Sequence, residues 1–303
     1  MSASSPVLVN GELVDANTAA ISVWDLTVQR GDGFFDIIYV DKNAEGKILL
    51  VGLDLHFVRM FRCAEQMLYK IEQSREQLEQ WMRKIAELGG PGKIRMLFTR
   101  GMLEDNPGVD GSKFAPKSVI ILWHPHTKYK IPGTLLPMEF PWSCYHSNTS
   151  GAMKWMSYGP NMLMTRMAVK EGYNDALLTS HDGHVLEGPT FSIIWLKNGE
   201  IFTSSVKQMK ILPSITATIV MTILQNIGYK INIGKYLLKE VLEADEVFTT
   251  SATRLLIPVE KIGDRKYSIE QGMKLREIVS KGILERENWI SQLTSPYDFP
   301  LNS

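Results

Sequence analysis

Gly151-Ala-Met-Lys154-Trp-Met-Ser-Tyr158 sets one basic side chain among apolar neighbours. Thirty-three residues beyond that lysine, the hairpin-like stretch Asp175-Ala-Leu-Leu-Thr-Ser-His-Asp-Gly-His-Val-Leu-Glu187-Gly188 closes on a glutamate. Ile211-Leu212-Pro-Ser214-Ile215-Thr216 then reads as the opening of a helix with Ser214 as its N-cap. Each group has an ordinary reading and a chemical one. A free lysine amine is protonated at pH 7, but desolvation or a nearby cation lowers its pKa and makes it a nucleophile. Met153, Trp155 and Met156 fit an inward-pointing lysine, although composition alone also allows a surface lysine snorkelling past a tryptophan. A buried glutamate needs a cationic partner, whereas an exposed one is a plain hairpin residue. A helix N-terminus offers unpaired N–H groups and a positive dipole end to a phosphate, and serine also caps helices that bind nothing.

Outward from this centre the chain alternates strands and helices. Val7 to Val14 reads as a hairpin around Asn10-Gly11, and Phe34 to Val40 as a strand. Leu53 to about Ile71 reads as a helix. Ser74-Arg-Glu-Gln77 matches a capping box, and the helix it starts ends at Gly89-Gly90. Ile94–Thr99 and Val119–Trp123 are further strands. The Pro- and Gly-bearing stretch from Pro125 to Pro141 reads as a linker or a first edge strand. Beyond it come a helix from Pro160 to Glu171 and paired strands around Asp182-Gly183 and Asn198-Gly199. A helix from Ser214 to Ile227, strands at Lys230–Ile233 and Glu246–Thr250, a helix from Ser268 to Glu285 and a loose polar tail from Thr294 follow. The expectation is a two-domain α+β chain: a small N-terminal α/β domain over 1–130, a linker over 131–140 and a larger C-terminal domain over 141–303.

Composition narrows the function. The 303 residues carry 33 basic and 33 acidic side chains, so the net charge of zero argues against a nucleic-acid surface. Cys63 and Cys144 are too few for a disulfide framework and read as reduced thiols. The opening Met-Ser-Ala-Ser-Ser-Pro-Val shows no secretory pattern, and no apolar run reaches the roughly 20 residues of a membrane span. A cytoplasmic protein with no membrane partner is expected. His124-Pro-His126 and His181-Asp-Gly-His184 lack a third ligand at a metal-site spacing, so no metal is expected. Gly31-Asp-Gly33 lacks the third glycine of a dinucleotide fingerprint.

Amine, carboxylate and helix end are together the groups needed to hold and use pyridoxal phosphate. The wider set of blocks resembles the fold-type IV pyridoxal-phosphate enzymes, a family of branched-chain, D-amino acid and (R)-amine aminotransferases that also contains aminodeoxychorismate lyase. The blocks are Val9-Asn-Gly-Glu-Leu, Ser22-Val-Trp-Asp25, Arg30-Gly-Asp-Gly-Phe-Phe-Asp36, His56-Phe-Val-Arg59, Phe98-Thr-Arg-Gly101, the lysine, glutamate and Leu212–Thr216 segments, and Asp245–Ala252. They run in the family's order from about Val7 to about Val259.

The resemblance implies a D-amino acid aminotransferase-like fold whose C-terminal domain is a cofactor-binding pseudo-barrel, and pyridoxal 5'-phosphate as cofactor. It implies Lys154 as the catalytic residue, condensing with the cofactor's aldehyde and then moving a proton. Glu187 would face the pyridine nitrogen. Arg59, Leu212, Ser214, Ile215, Thr216, Ser251 and Ala252 would surround the phosphate, with Tyr158, Thr190 and Ser192 as further contacts. Arg30 and Arg100 are the cations expected to pair with a substrate carboxylate, and Phe35 and Leu103 to wall the side-chain pocket. Four positions depart from the family pattern: Ser214 and Ala217 stand where glycine and arginine are usual, Ala252 lacks a hydroxyl, and Phe191 interrupts a polar run. The loop after Thr99-Arg100-Gly101 is acidic and lacks the arginine and histidine of D-amino acid aminotransferases, while Arg30–Asp36 is similar to the (R)-amine and D-amino acid branches. The expected reaction is ping-pong transfer of an amino group from a D-amino acid or (R)-amine donor to a 2-oxo acid. Branched-chain L-amino acid transamination, aminodeoxychorismate-type β-elimination and a non-catalytic cofactor-binding protein are the alternatives. A homodimer is implied, because relatives complete each site with loops of the neighbouring subunit.

Overall fold

Asn10 and Gly11 both take positive φ, 50° and 88°, and so fold β1 (Val7–Val9) back onto β2 (Glu12–Val14). The computed structural model describes residues 5–102, 117–142 and 153–293, so Leu103, most of the acidic loop, Cys144 and the tail lie outside the described residues. A short helix, α1 (Leu26–Arg30), leads into β3 (Gly33–Lys42). With β4 (Ile48–Leu50), β5 (Gly92–Thr99) and β6 (Val119–His124) these strands make an antiparallel sheet of order β2-β1-β6-β5-β3-β4. Two helices cover one face, α2 (Leu53–Gln66) and α3 (Arg75–Gly89). Leu78, Met82, Ile85 and Ala86 recur at helical spacing and meet Ile94, Met96 and Phe98, the alternate residues of β5. That alternation sends Lys93, Arg95 and Leu97 to the opposite face of the strand. Ser74 Oγ accepts from the Gln77 N–H at 3.2 Å, as its N-cap position predicts. Helix α2 is shorter than expected: it stops at Met67, Leu68 turns to φ 50°, and the Met67 and Leu68 carbonyls accept from the Arg100 guanidinium.

The second sheet is mixed, with order β11-β10-β9-β12-β13-β7-β8 and β14 paired to β13. Its strands are β7 (Gly133–Glu139), β8 (Asp175–Thr179), β9 (Ser192–Lys197), β10 (Glu200–Ser204), β11 (Ile231–Gly234), β12 (Glu246–Thr250), β13 (Ile257–Ile262) and β14 (Arg265–Lys266). Of the stretch expected as linker or edge, residues 133–139 are neither, because β7 lies between β13 and β8 and pairs in parallel with both, and only residues 125–132 connect the two sheets. Nor do residues 180–187 return from β8 as a regular strand. Gly183 turns at φ 79° and Leu178 exchanges backbone hydrogen bonds with Leu186 and Glu187, but only Thr179–Val185 forms a ladder bridge. This irregular return leg carries Glu187.

The helices of this half are α4 (Gly159–Lys170), α5 (Val206–Met209), α6 (Ile215–Asn226), α7 (Leu238–Leu242) and α8 (Glu270–Gly282). Helix α6 carries no charged residue and is buried at every position from Ile215 to Leu224. One core cluster joins it to Leu49, Val51 and Leu55 of the first half and to Ile194, Ile201 and Phe248 of the second. The two sheets therefore share a core through α6. A clamp reinforces this: Glu287 accepts from the Leu50 N–H at 2.9 Å, and Asp54 accepts from the Trp289 and Ile290 N–H groups at 2.8 and 2.7 Å. Among the described residues no helix is long and apolar enough to cross a membrane.

Candidate active site

Lys154 is held by the first sheet although it follows that sheet by thirty residues. The Phe35 N–H donates to the Lys154 carbonyl at 2.9 Å and the Met156 N–H donates to the Gly33 carbonyl at 2.8 Å, so the segment lies against β3 like an added strand. This approach needs Gly31, while Gly33 admits the neighbouring strand β5. A Cβ at Gly31, where φ is 70°, would fall 2.4 Å from Ser157 Oγ, and one at Gly33 would fall 2.7 Å from the Phe98 carbonyl. The Lys154 amine stands 4.6 Å from the Phe35 ring centre and 5.6 Å from that of Tyr158. Burial, reinforced by the Arg59 charge and only partly offset by Asp36 and Glu187, brings its pKa down to about 8.

The amine opens into a cavity of about 470 Å³ between the two sheets. Glu187 reaches it from the irregular return leg. Burial raises this carboxyl to about 7 against the opposing pull of the Leu212 N–H, 3.2 Å from Oε1, and of Lys154. Such a carboxyl calls for a cation. Burial also raises the Tyr158 hydroxyl, with Glu187 adding to the effect. At the far side is the N-terminus of α6. Ser214 Oγ caps the Ala217 N–H at 3.2 Å, while Ile215 and Thr216 border the cavity in the first turn, where backbone N–H groups have no intrahelical partner. The turn Ser251-Ala252-Thr253 after β12 borders the same space.

Arg59 adjoins this end and is fixed by buried partners. Its Nε and Nη2 donate to Asp36 at 3.0 and 2.5 Å, and Nη1 donates to the Pro213 carbonyl at 3.0 Å. His56 Nδ1 lies 3.0 Å from the same carboxylate. Burial alone would raise Asp36, but Arg59 and His56 hold it well below the carboxylate range. Burial in turn keeps the His56 imidazole neutral, below its ordinary value.

Of the residues expected from the sequence, Lys154, Arg59, Tyr158, Glu187, Thr190, Ser192, Leu212, Ser214, Ile215, Thr216, Ser251, Ala252 and Phe35 all border this cavity. Arg30 and Arg100 do not. Arg30 is exposed at the end of α1, where its carbonyl accepts from Ser157. The Arg100 guanidinium is buried and bound to Asp32 at 2.9 Å and to the Met67 carbonyl at 2.8 Å, which makes it a structural cation. Besides Lys154 and Arg59, the basic side chains that border the cavity are Lys93 and Arg95. Arg95 is exposed, stands 5.3 Å over Phe35, and makes no ion pair with a carboxylate among the described residues. Two basic residues alternating with apolar ones in β5 were a legible signal that one face of the strand meets something anionic. Tyr129, Met156, Met162 and Thr253 also border the cavity and had no such signal. Among the described residues no group of three or more His, Cys, Asp or Glu could hold a metal ion.

This donor set fits pyridoxal phosphate: a desolvated amine for its aldehyde, an acid seeking a cation for its ring nitrogen, and Arg59 with the first turn of α6 for its phosphate. The family model described as Amino-transferase class IV matches residues 33–262, and the chain belongs to this family of pyridoxal-phosphate enzymes. It is 25% identical over 265 residues to a D-alanine aminotransferase of Bacillus licheniformis, covering 84% of this chain and 88% of that protein. It is 24% identical over 273 residues to an aminodeoxychorismate lyase of Bacillus subtilis (strain 168), covering 88% and 89%. The structure of a branched-chain aminotransferase from the thermophilic archaeon Thermoproteus uzoniensis with norvaline superposes with a TM-score of 0.83 at 22% identity, covering 96% of this chain and 99% of that one. The fold is accordingly that of the fold-type IV enzymes.

Proposed function

We propose that this aminotransferase moves an amino group from a D-amino acid or (R)-amine to a 2-oxo acid, in two half-reactions at the one cavity. The observation that carries the reading is Lys154: a buried amine of pKa about 8, pinned to β3 and facing Glu187 across the space. Pyridoxal phosphate, when bound, supplies the aldehyde that receives the amino group and a ring that takes up electrons. The Lys154 amine would take the proton from the donor's α-carbon and return it, and a pKa near the working pH suits both directions. Glu187 keeps the far end of the site charged. Arg95, at the cavity mouth, is placed to receive the carboxylate of the 2-oxo acid. The D- or (R)-type preference is supported by the Arg30–Asp36 block, which brings Phe35 against Lys154.

A panel of D-amino acids, L-amino acids and chiral amines, read by the change in cofactor absorbance, tests the donor. Parallel double-reciprocal lines for donor and acceptor are expected, and intersecting lines overturn the two-step reading. A second reading, β-elimination, is favoured by the Bacillus subtilis lyase, which matches over as much of the chain as the D-alanine enzyme does. Pyruvate release without any 2-oxo acid would establish it. We place the protein in the cytoplasm, in keeping with the free buried thiol of Cys63. We take it to act as a homodimer through the exposed apolar side chains Val23, Trp24 and Val28, and a monomer mass in sedimentation would refute that.

A further inference from the structure

Arg254 follows the Ser251–Thr253 turn and stands behind the cavity wall. Its Nη2 is 2.5 Å from Oδ2 of the buried Asp175, which also accepts from Thr165 at 2.8 Å. Its guanidinium lies 4.5 Å over the Phe191 ring and 4.7 Å over the Tyr129 ring. Both rings border the cavity. Each is also held from elsewhere. A Cβ on Gly188 would fall 2.0 Å from Phe191 Cζ, so that ring lies flat against the Gly188 backbone, and the Gly188 N–H donates to the Phe191 carbonyl at 2.8 Å. The Tyr129 hydroxyl is 2.6 Å from Thr253 Oγ1. Tyr129 belongs to the segment between the sheets and Phe191 to the approach to β9, and Arg254 is the group that ties them together.

We propose that Arg254 is a positioning residue for substrate selection: it fixes Tyr129 and Phe191 as an apolar wall that receives an aromatic or extended apolar substituent of the amino donor. A cation held by a carboxylate and faced by two rings cannot turn aside without losing all three contacts, so the rings present a fixed surface. Phe35, Met156 and Met162 extend that surface around the cavity. The inference rests on the cavity being an amino-donor site. It names the class of donor: bulky and apolar rather than small.

The test uses cofactor-loaded protein and two unreactive acids, 3-phenylpropionate and propionate, with binding measured by calorimetry for wild type, Arg254→Met and Arg254→Lys. Arg254→Met keeps the length and loses the charge. It should weaken 3-phenylpropionate about tenfold and propionate about twofold at most, and Arg254→Lys, which keeps a cation between the rings, should recover most of the loss. The KM for D-phenylalanine should rise in Arg254→Met relative to that for D-alanine. Equal weakening of both acids, which a purely structural role would give, overturns the proposal, as does no change in either. If Arg254→Met does not fold, Tyr129→Leu reads the same ratio with the same two outcomes. Binding needs no turnover, so this result stands apart from whether the protein transaminates.

Discussion

Replacing Glu187 with glutamine should stabilise the cofactor-free protein while weakening its hold on the cofactor. The carboxyl is raised from 4.5 to about 7, with burial as the chief cause. Below pH 4.5 it is protonated in both folded and unfolded chains and costs nothing. Between 4.5 and about 7 the unfolded chain releases the proton and the folded one keeps it, so stability falls as pH rises, and above that the loss is constant. At 1.36 kcal/mol per pH unit the full loss is about 3 kcal/mol, an upper value since the group borders a cavity. Glutamine keeps the shape and the acceptor for the Leu212 N–H but has no charge to bury. Urea unfolding of cofactor-free wild type and Glu187→Gln at pH 5 and pH 8 reads the difference. Titrating groups that do not face Glu187, such as His56, are common to both proteins and cancel, while Lys154, which loses its partner in the variant, makes the gain smaller. The variant should gain up to about 3 kcal/mol over wild type at pH 8 and much less at pH 5. With pyridoxal phosphate added the order should reverse, because only the carboxylate can pair with the ring cation. Equal pH dependence in the two proteins would refute the placement of Glu187 as a desolvated acid.

Four further outcomes follow from the same geometry. In cofactor-free protein, reductive methylation of Lys154 should rise with a midpoint near 8, where an ordinary lysine would titrate at 10.5; Lys154→Ala should leave no cofactor attached after borohydride reduction. Arg95→Met should raise the KM for 2-oxo acids about tenfold or more, as expected for a lost charged hydrogen bond, and spare amines that carry no carboxylate. Gly188→Ala should destabilise the fold by about 2 kcal/mol, read as a fall in Tm, because the new methyl group displaces a Phe191 ring that Arg254 holds from the other side.

Much of this was legible in the chain because it is local. Asn10-Gly11 and Asn198-Gly199 require positive φ and make their hairpins wherever they stand. Ser214 caps α6 through a hydrogen bond spanning three residues, and the uncharged, largely apolar run behind it reads as buried. The order of blocks around Lys154 and Glu187 identified the cofactor and most of the cavity's border without coordinates. Other features depend on partners far away in sequence. Arg100 looks as available as Arg95 on paper, and only the fold shows one bound to Asp32 and the other facing the cavity. Proline and glycine made 133–139 read as a linker or edge, whereas parallel pairing with β8 and β13, which no local rule foresees, makes it an inner strand. The lowered pKa of Lys154 and the raised pKa of Glu187 arise from desolvation where two sheets close over one space. The sequence determined which groups this protein carries and which local shapes they adopt, since those are set by bonds and neighbours a few residues apart. Their protonation, their partners and the wall that Tyr129, Arg254 and Phe191 build were decided by the tertiary structure, because burial and long-range contact exist only once the chain has closed.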